Sequence, residues 1–242
     1  LLEPAGSNGI ALNSHKTKSG NAMLLINPHT SFFFRGEMHV VSEEGLNAYG
    51  AVTWGQFFIY QGFNEKTGWM HTSTYTDVID EFVEEVRKTE NGLEYRYGSQ
   101  WRPLKSFDTT FKVRSEDGSL VEQTYTLYRT HHGPVTHQLE DKWVATAMMW
   151  SPARALEQSF IRTKQNGYEG FSNMMNLKTN SSNNTVYADA EGNIAYWHGN
   201  FIPKRNTRFD YAQPVDGTNP ETDWQGLHEV SEHITLLNMP MR

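Results

Sequence analysis

The chain has 242 residues, with 21 basic and 28 acidic side chains for a formal charge of −7, and no cysteine. That length supports one large domain or two small ones, and the missing thiols exclude disulfides, thiol nucleophiles and cysteine-held zinc. The signs of charge are mixed along the chain, so there is no basic stripe for nucleic acid and no basic amphipathic helix for a membrane surface, and no apolar run approaches the roughly 18 residues of a spanning helix.

Residues 9–13 and 22–27 are expected to form a strand hairpin across the polar turn Lys16-Thr17-Lys18-Ser19-Gly20-Asn21. Further strands are expected over 31–41, 46–52, 56–63 and 67–75. Within 77–88, Ile79, Phe82, Val83 and Val86 recur at helical spacing, so helix competes with extended structure there. Strands return over 93–135, with turns at Asn91-Gly92 and Asp117-Gly118 and a hairpin joining 111–113 to 121–128. Another strand covers 142–150. Ser151-Pro152 opens a helix with Pro at a favoured first position, Leu156, Phe160 and Ile161 as its apolar face and Asn166-Gly167 as its stop. A second helix over 168–177 groups Phe171, Met174 and Met175, and 184–197 forms a hairpin turning at 190–193. Beyond Pro203 the chain is loop-like. No repeat or clean linker is visible, so the expectation is one α+β domain dominated by strands.

Four chemistries compete for these residues. Ten histidines invite a metal, but no His-Glu-x-x-His occurs. His131 and His132 are adjacent, and adjacent residues on a strand point to opposite faces. An internal serine triad lacks the Gly-x-Ser-x-Gly elbow. A non-catalytic, β-rich binding module is compatible with everything above. The fourth candidate is a nucleophile at a chain terminus, centred on Gly6-Ser7-Asn8. Taken alone, that triplet is equally a turn before a strand. If Ser7 becomes a terminus, its own amine, with a pKa of about 8, can act as the base its hydroxyl needs. The same hydroxyl can attack the Gly6–Ser7 peptide to free that amine, and a preceding glycine suits the strained backbone of such a shift.

Six landmarks occur in order: Gly6-Ser7-Asn8; Asn27-Pro28-His29; Gly62-Phe63-Asn64 with Gly68-Trp69-Met70-His71-Thr72-Ser73; Thr130-His131-His132-Gly133-Pro134-Val135; Asn184-Thr185-Val186-Tyr187-Ala188-Asp189 with Gly192-Asn193-Ile194-Ala195-Tyr196-Trp197; and Phe201-Ile202-Pro203-Lys204-Arg205. In this series the chain resembles the N-terminal half of the β-subunit of the penicillin acylase family, which includes penicillin G, cephalosporin and acyl-homoserine lactone acylases. The resemblance implies a strand-rich part of an αββα N-terminal nucleophile hydrolase sandwich, and it favours extended structure over 77–88. Residues 1–6 would end a spacer and 7–242 would form part of the β-subunit domain. The implied partner is an α-subunit from the same precursor, the implied substrate a small acyl amide, and the implied location the periplasm, with any export signal upstream. No organic cofactor is implied.

By position, Ser7 resembles the terminal nucleophile and Gly6–Ser7 the autocatalytic cleavage site. His29 corresponds to a residue that positions the serine, and Ser73 to the supplier of a backbone N–H for the oxyanion. A second oxyanion donor, an Asn, would lie beyond Arg242. With it absent and six residues covering the Ser7 amine, the 242-residue chain is expected to be inert as it stands. Thr30, Gln61 and Asn183 fall where penicillin G acylases place apolar pocket side chains, and Trp150 matches an aromatic there. Polar replacements disfavour a plain apolar acyl group. Asp77, Asp80 and the Pro203 carbonyl resemble calcium ligands, with solvated surface acids as the alternative.

Overall fold

The structure is a computed structural model that describes residues 6–31, 33 and 35–239. The expected spacer residues 1–5, Phe32 and Phe34 of the expected strand 31–41, and residues 240–242 lie outside the described residues. In chain order the strands are β1 (Ser7–Leu12), β2 (Met23–Pro28), β3 (Arg35–Ser42), β4 (Leu46–Thr53), β5 (Gln61–Asn64), β6 (Thr67–Ser73), β7 (Asp80–Glu84), β8 (Val86–Thr89), β9 (Gly92–Tyr97), β10 (Gln100–Pro103), β11 (Lys105–Arg114), β12 (Leu120–Arg129), β13 (Val135–Leu139) and β14 (Lys142–Ala147). Helices α1 (Pro152–Arg162) and α2 (Tyr168–Met175) follow, then β15 (Asn183–Asp189), β16 (Ile194–Trp197), β17 (Val215–Asp216) and β18 (Thr235–Leu237). The chain is α+β with strands dominant. The segment 77–88 is extended, its helical spacing overridden by pairing of β7 with β14 and of β8 with β9.

The chain folds into two compact units. The first takes residues up to Thr76, Trp150–Ile202 and those from Leu227 on; the second takes Asp77–Met149 and Pro203–Gly226. No linker shows in the sequence because the chain passes between the units several times instead of finishing one before starting the other.

In the first unit, seven antiparallel strands form a sheet in the order β18-β16-β15-β6-β5-β4-β3. Strand alternation sorts its two faces. Trp69 of β6, Tyr187 of β15 and Trp197 of β16 pack with Phe171, Met174 and Met175 of α2. Met70 and Val186 face the other way, onto the β1–β2 hairpin. A Cβ on Gly9 would stand 2.7 Å from Met70 Sδ and 3.1 Å from Val186 Cγ2, so β1 can lie this close only because position 9 is glycine. Helices, sheet and hairpin thus make three stacked layers.

Helix α1 departs from the expected face. Leu156 is 43% exposed, whereas Gln158 and Arg162 are buried. Gln158 is satisfied: its Oε1 accepts from the Thr179 N–H (2.9 Å) and its Nε2 donates to Asn200 Oδ1 (3.1 Å). A polar side chain therefore fixes the helix where an apolar one was expected.

The second unit holds a four-stranded sheet, β13-β14-β7-β17, in which the short β17 runs parallel to β7, together with the three-stranded β10-β9-β8 and the β11–β12 hairpin. Its core is small. Phe82, Ala147 and Val215 are buried, flanked by Phe209, Tyr211 and Trp224.

Candidate functional site

Ser7 opens β1, paired with Pro28 at the end of β2. Its Oγ donates to the Gly6 carbonyl at 2.7 Å and accepts from the His29 N–H at 3.2 Å. Gly6 has φ +105°, a region that L side chains rarely enter, with nothing within 4 Å of a Cβ placed there. The need for glycine is therefore conformational, not steric. His29 meets Ser7 through its backbone, not its ring. The imidazole Nε2 instead lies 3.0 Å from Asn27 Oδ1 and 3.2 Å from Asn8 Nδ2, two residues on the outer face of the hairpin.

Three contacts place Ser7 along the sheet. Gly9 sits on Val186, the Asn13 side chain donates to the Gly192 carbonyl beyond the far end of β15, and Leu24 of β2 lies against Gly68. Strand β1 therefore runs in the same sense as β15, and Ser7 falls toward the end that carries Asn183. Asn183 pairs with Ser73. The Thr74 N–H donates to the Ser182 carbonyl (3.1 Å), which makes Ser73 and Asn183 a non-hydrogen-bonded pair and turns the Ser73 N–H away from β15. Strand β5, the neighbour on that side, pairs β6 only at Gly68 and Trp69. Ser7, the His29 N–H and the Ser73 N–H thus belong to one end of the layered unit.

The expected pocket residues are less concentrated. Asn183 donates to Tyr60 Oη (2.9 Å) and helps line a cavity of about 210 Å³ with Gln56, Tyr60, Ser159, Arg162 and Asn180. Gln61 is buried on β5, and its Oε1 has no hydrogen-bond partner among the described residues. Thr30 follows β2 in irregular backbone, and Trp150 is largely exposed; neither lines the cavity.

The cavity contains a cation that helix periodicity did not select. Arg162 is 2% exposed, and no carboxylate among the described residues pairs with it. Its Nη1 lies 2.7 Å from His71 Nε2, and its Nε has no partner among the described residues. Burial pulls the Arg162 guanidinium down to about 10. Burial, then the Arg162 charge, push His71 well below its usual value, so its ring is the neutral acceptor of the Arg162 donor.

Residues 1–241 match the profile of the penicillin amidase family. The chain belongs to the penicillin amidase family. It is 26% identical over 235 residues to a penicillin G acylase of Escherichia coli, covering 93% of this chain and 26% of that protein. It is 23% identical over 239 residues to an acyl-homoserine lactone acylase QuiP of Pseudomonas fluorescens, covering 96% of this chain and 28% of that protein. The chain thus spans about a quarter of the length of these curated relatives. Its fold matches the solved thermostable penicillin G acylase of Alcaligenes faecalis with a TM-score of 0.79 at 21% identity, over 97% of this chain and 42% of that one.

The penicillin amidase resemblance implied calcium at Asp77, Asp80 and Pro203. In this family member Arg205 fills that place. Its Nε and Nη2 donate to the two oxygens of Asp80 (2.7 and 3.1 Å), its Nη2 also reaches the Asp77 carbonyl (3.0 Å), and Trp224 Nε1 donates to Asp80 Oδ2 (2.5 Å). Three of the roughly four acceptor sites of the carboxylate are taken and its charge is matched by a guanidinium. These residues do not fit a calcium ion as they stand.

The strand argument that separated His131 from His132 also fails. Both lie in a bend between β12 and β13, not on a strand, and their ring centroids are 3.8 Å apart. The alternation of side chains that would part them applies only to extended backbone.

Proposed function

We propose that this chain carries the nucleophile of an acyl-amide hydrolase, Ser7, released by cleavage of the Gly6–Ser7 peptide. The observation that supports this best is the Ser7 hydroxyl resting on the Gly6 carbonyl at 2.7 Å. A turn of χ1 from the carbonyl oxygen toward its carbon begins an N→O shift. Oγ bonds to the Gly6 carbonyl carbon, the C–N bond breaks, and the proton passes from Oγ to the departing Ser7 nitrogen. Water then hydrolyses the ester, leaving a Gly6 carboxylate and a free Ser7 amine. Until that happens the nitrogen is an amide and cannot act as base, so the uncut chain is inert.

Once free, the amine takes the Oγ proton as Oγ attacks a substrate amide. The His29 N–H, already on Oγ at 3.2 Å, holds the hydroxyl in place. The Ser73 N–H receives the developing oxyanion, a contribution of about 3 kcal/mol for one such donor. The substrate amine leaves with the proton, and water releases the acyl group from Ser7. An α-subunit from the same precursor and a second oxyanion donor complete the site. The E. coli relative is a penicillin G acylase and QuiP an acyl-homoserine lactone acylase; a β-lactam side chain and an acyl-homoserine lactone are the two substrate types to test. Gln61, Asn183 and Arg162, whose Nε has no partner among the described residues, favour an acyl group that carries a hydrogen-bond acceptor over a bare hydrocarbon.

The test is intact-mass analysis of the longer natural polypeptide, followed by an acyl-amide panel. Cleavage between Gly6 and Ser7 is expected, with both cleavage and turnover abolished in Ser7→Ala; loss of a nucleophile costs about a millionfold. Turnover by an uncut chain, or normal cleavage in Ser7→Ala, rejects the mechanism. A chain that neither cuts nor turns over marks a binding or scaffold protein.

A further inference from the structure

The second unit contains a cluster with no part in the amidase chemistry. His132 is nearly enclosed, with Phe82 stacked on its ring at 3.9 Å and 8°. Its Nδ1 lies 2.8 Å from Glu84 Oε1 and its Nε2 lies 3.0 Å from Asp223 Oδ1. His131 Nε2 stands 3.6 Å from the other oxygen of Asp223, and His131 Nδ1 stands 3.2 Å from Tyr95 Oη. Tyr97 Oη donates to Asp223 Oδ2 at 2.5 Å. One ligand atom from each of His131, His132 and Asp223 falls within 4.8 Å of the others.

We propose that His131, His132 and Asp223 bind a divalent transition metal of the zinc class, with Glu84 orienting His132 from behind. Spacing is the first argument. Ligand atoms about 2.0–2.1 Å from a tetrahedral ion stand about 3.3 Å from one another; His132 Nε2 lies 3.0 Å from Asp223 Oδ1, and one ligand atom from each of the three residues falls within 4.8 Å of the others. Outer support is the second. Each ligand has a partner on its far side, Glu84 for His132, Tyr95 for His131 and Tyr97 for Asp223. A carboxylate behind a histidine fixes the tautomer that offers Nε2 to a metal.

Charge is the third argument. Glu84 is fully buried, and its Oε2 has no hydrogen-bond partner among the described residues. Glu84 and Asp223 therefore set two carboxylates against His132. A divalent ion with neutral histidines brings the sum to zero. Two imidazoles with one carboxylate select zinc-like ions over calcium or magnesium. The His131 and Asp223 side chains are 29% and 30% exposed, which leaves a route in and a position for water.

The test is metal titration of the chelator-stripped protein, with Zn²⁺ followed by equilibrium dialysis and Co²⁺ by visible absorption. One zinc per chain and a tetrahedral cobalt spectrum are expected. Affinity should fall at least about tenfold in His131→Ala and about 10–100-fold in Glu84→Gln, and stay unchanged in His228→Ala, a half-buried histidine outside the cluster. His131 is partly exposed, so its loss should leave the fold intact by circular dichroism; if it does not, Asp223→Asn serves in its place. A wild-type chain that takes up no stoichiometric zinc, or a folded His131→Ala that binds as tightly as wild type, overturns the site.

Discussion

The two units treat buried charge in opposite ways. In the first, Arg162 is a buried cation faced by a neutral histidine and a polar cavity. In the second, Glu84 and Asp223 surround one histidine. There, burial disfavours a charged His132, but hydrogen bonds to Asp223 and Glu84 outweigh it and raise the group. Burial likewise opposes charge on Asp223, yet donors from His131, His132 and Tyr97 hold its carboxyl well below the usual range. Elsewhere in the second unit Arg205 matches Asp80 with two short hydrogen bonds, so uncompensated charge is not a general property of it. Buried charge that the fold leaves unmatched is costly and marks where something else is to bind: an acceptor in the first unit, a cation in the second.

The largest expected effects come from the cores beneath these sites. Phe171 belongs to a cluster of twelve buried residues, Phe82 to one of three. Truncating either to alanine should cost about 3–5 kcal/mol. The outcomes should nevertheless differ in extent. Phe171→Ala leaves Trp69, Tyr187 and Trp197 to hold the first unit, and a melt should shift without losing cooperativity. Phe82→Ala removes the main side chain of a small core and the ring stacked on His132. Hydrogen exchange should show β7 and β14 opening while β6 and β15 stay protected. Uniform loss of protection across both units would show that they unfold as one.

How much of this was legible in the sequence follows from what each signal measures. Alternation and turn residues located most strands, and the polar turn at 16–21 located the β1–β2 hairpin that sets Ser7 beside residue 29. They did not distinguish the His29 ring from its backbone. The strand expected over 56–63 shrank to β5 because residues 56–60 are irregular backbone with bends. Arg162 was missed because a helical wheel selects apolar residues for the buried face, and here Gln158 and Arg162 occupy it. His131 and His132 were set apart by a strand rule that a bend cancels, and Asp223 is 91 residues beyond His132, a separation no local pattern bridges.

Two arginines, the buried Arg162 and the part-buried Arg205, offer a sharper contrast than the cores. Arg205→Met should cost about 3–5 kcal/mol, because it leaves the Asp80 carboxylate buried without its cation. Arg162→Met removes a cation that has no anion, and it should raise stability by up to about 1–4 kcal/mol, the range for apolar replacement of buried ionic groups. Part of that gain is offset by His71 Nε2 losing its donor. Denaturant midpoints of the two variants should therefore move in opposite directions. The stabilised variant should also discriminate less in favour of acceptor-bearing acyl groups once the enzyme is assembled, since stability and site function trade against each other. A fall in stability in both variants would show that Arg162 is matched by its polar surroundings.

The smallest effect is a pH slope confined to the first unit. The folded state holds His71 well below the ordinary histidine value, with burial as the larger cause and the Arg162 charge as the next. His233, in the same unit, is lowered by burial and by His228. In the unfolded chain both titrate near 6.5. Below that pH the unfolded chain binds protons that the folded chain refuses, so stability is fully present above about 6.5 and declines as pH falls toward the folded values. Amide protection in β6 and β15 should weaken between pH 7 and 5. In His71→Asn the slope should shrink to the His233 share, because Asn cannot acquire charge beside Arg162. An unchanged slope in that variant would mean that His71 titrates alike in the folded and unfolded chain, and the neutral ring assigned as acceptor for Arg162 would have to be abandoned.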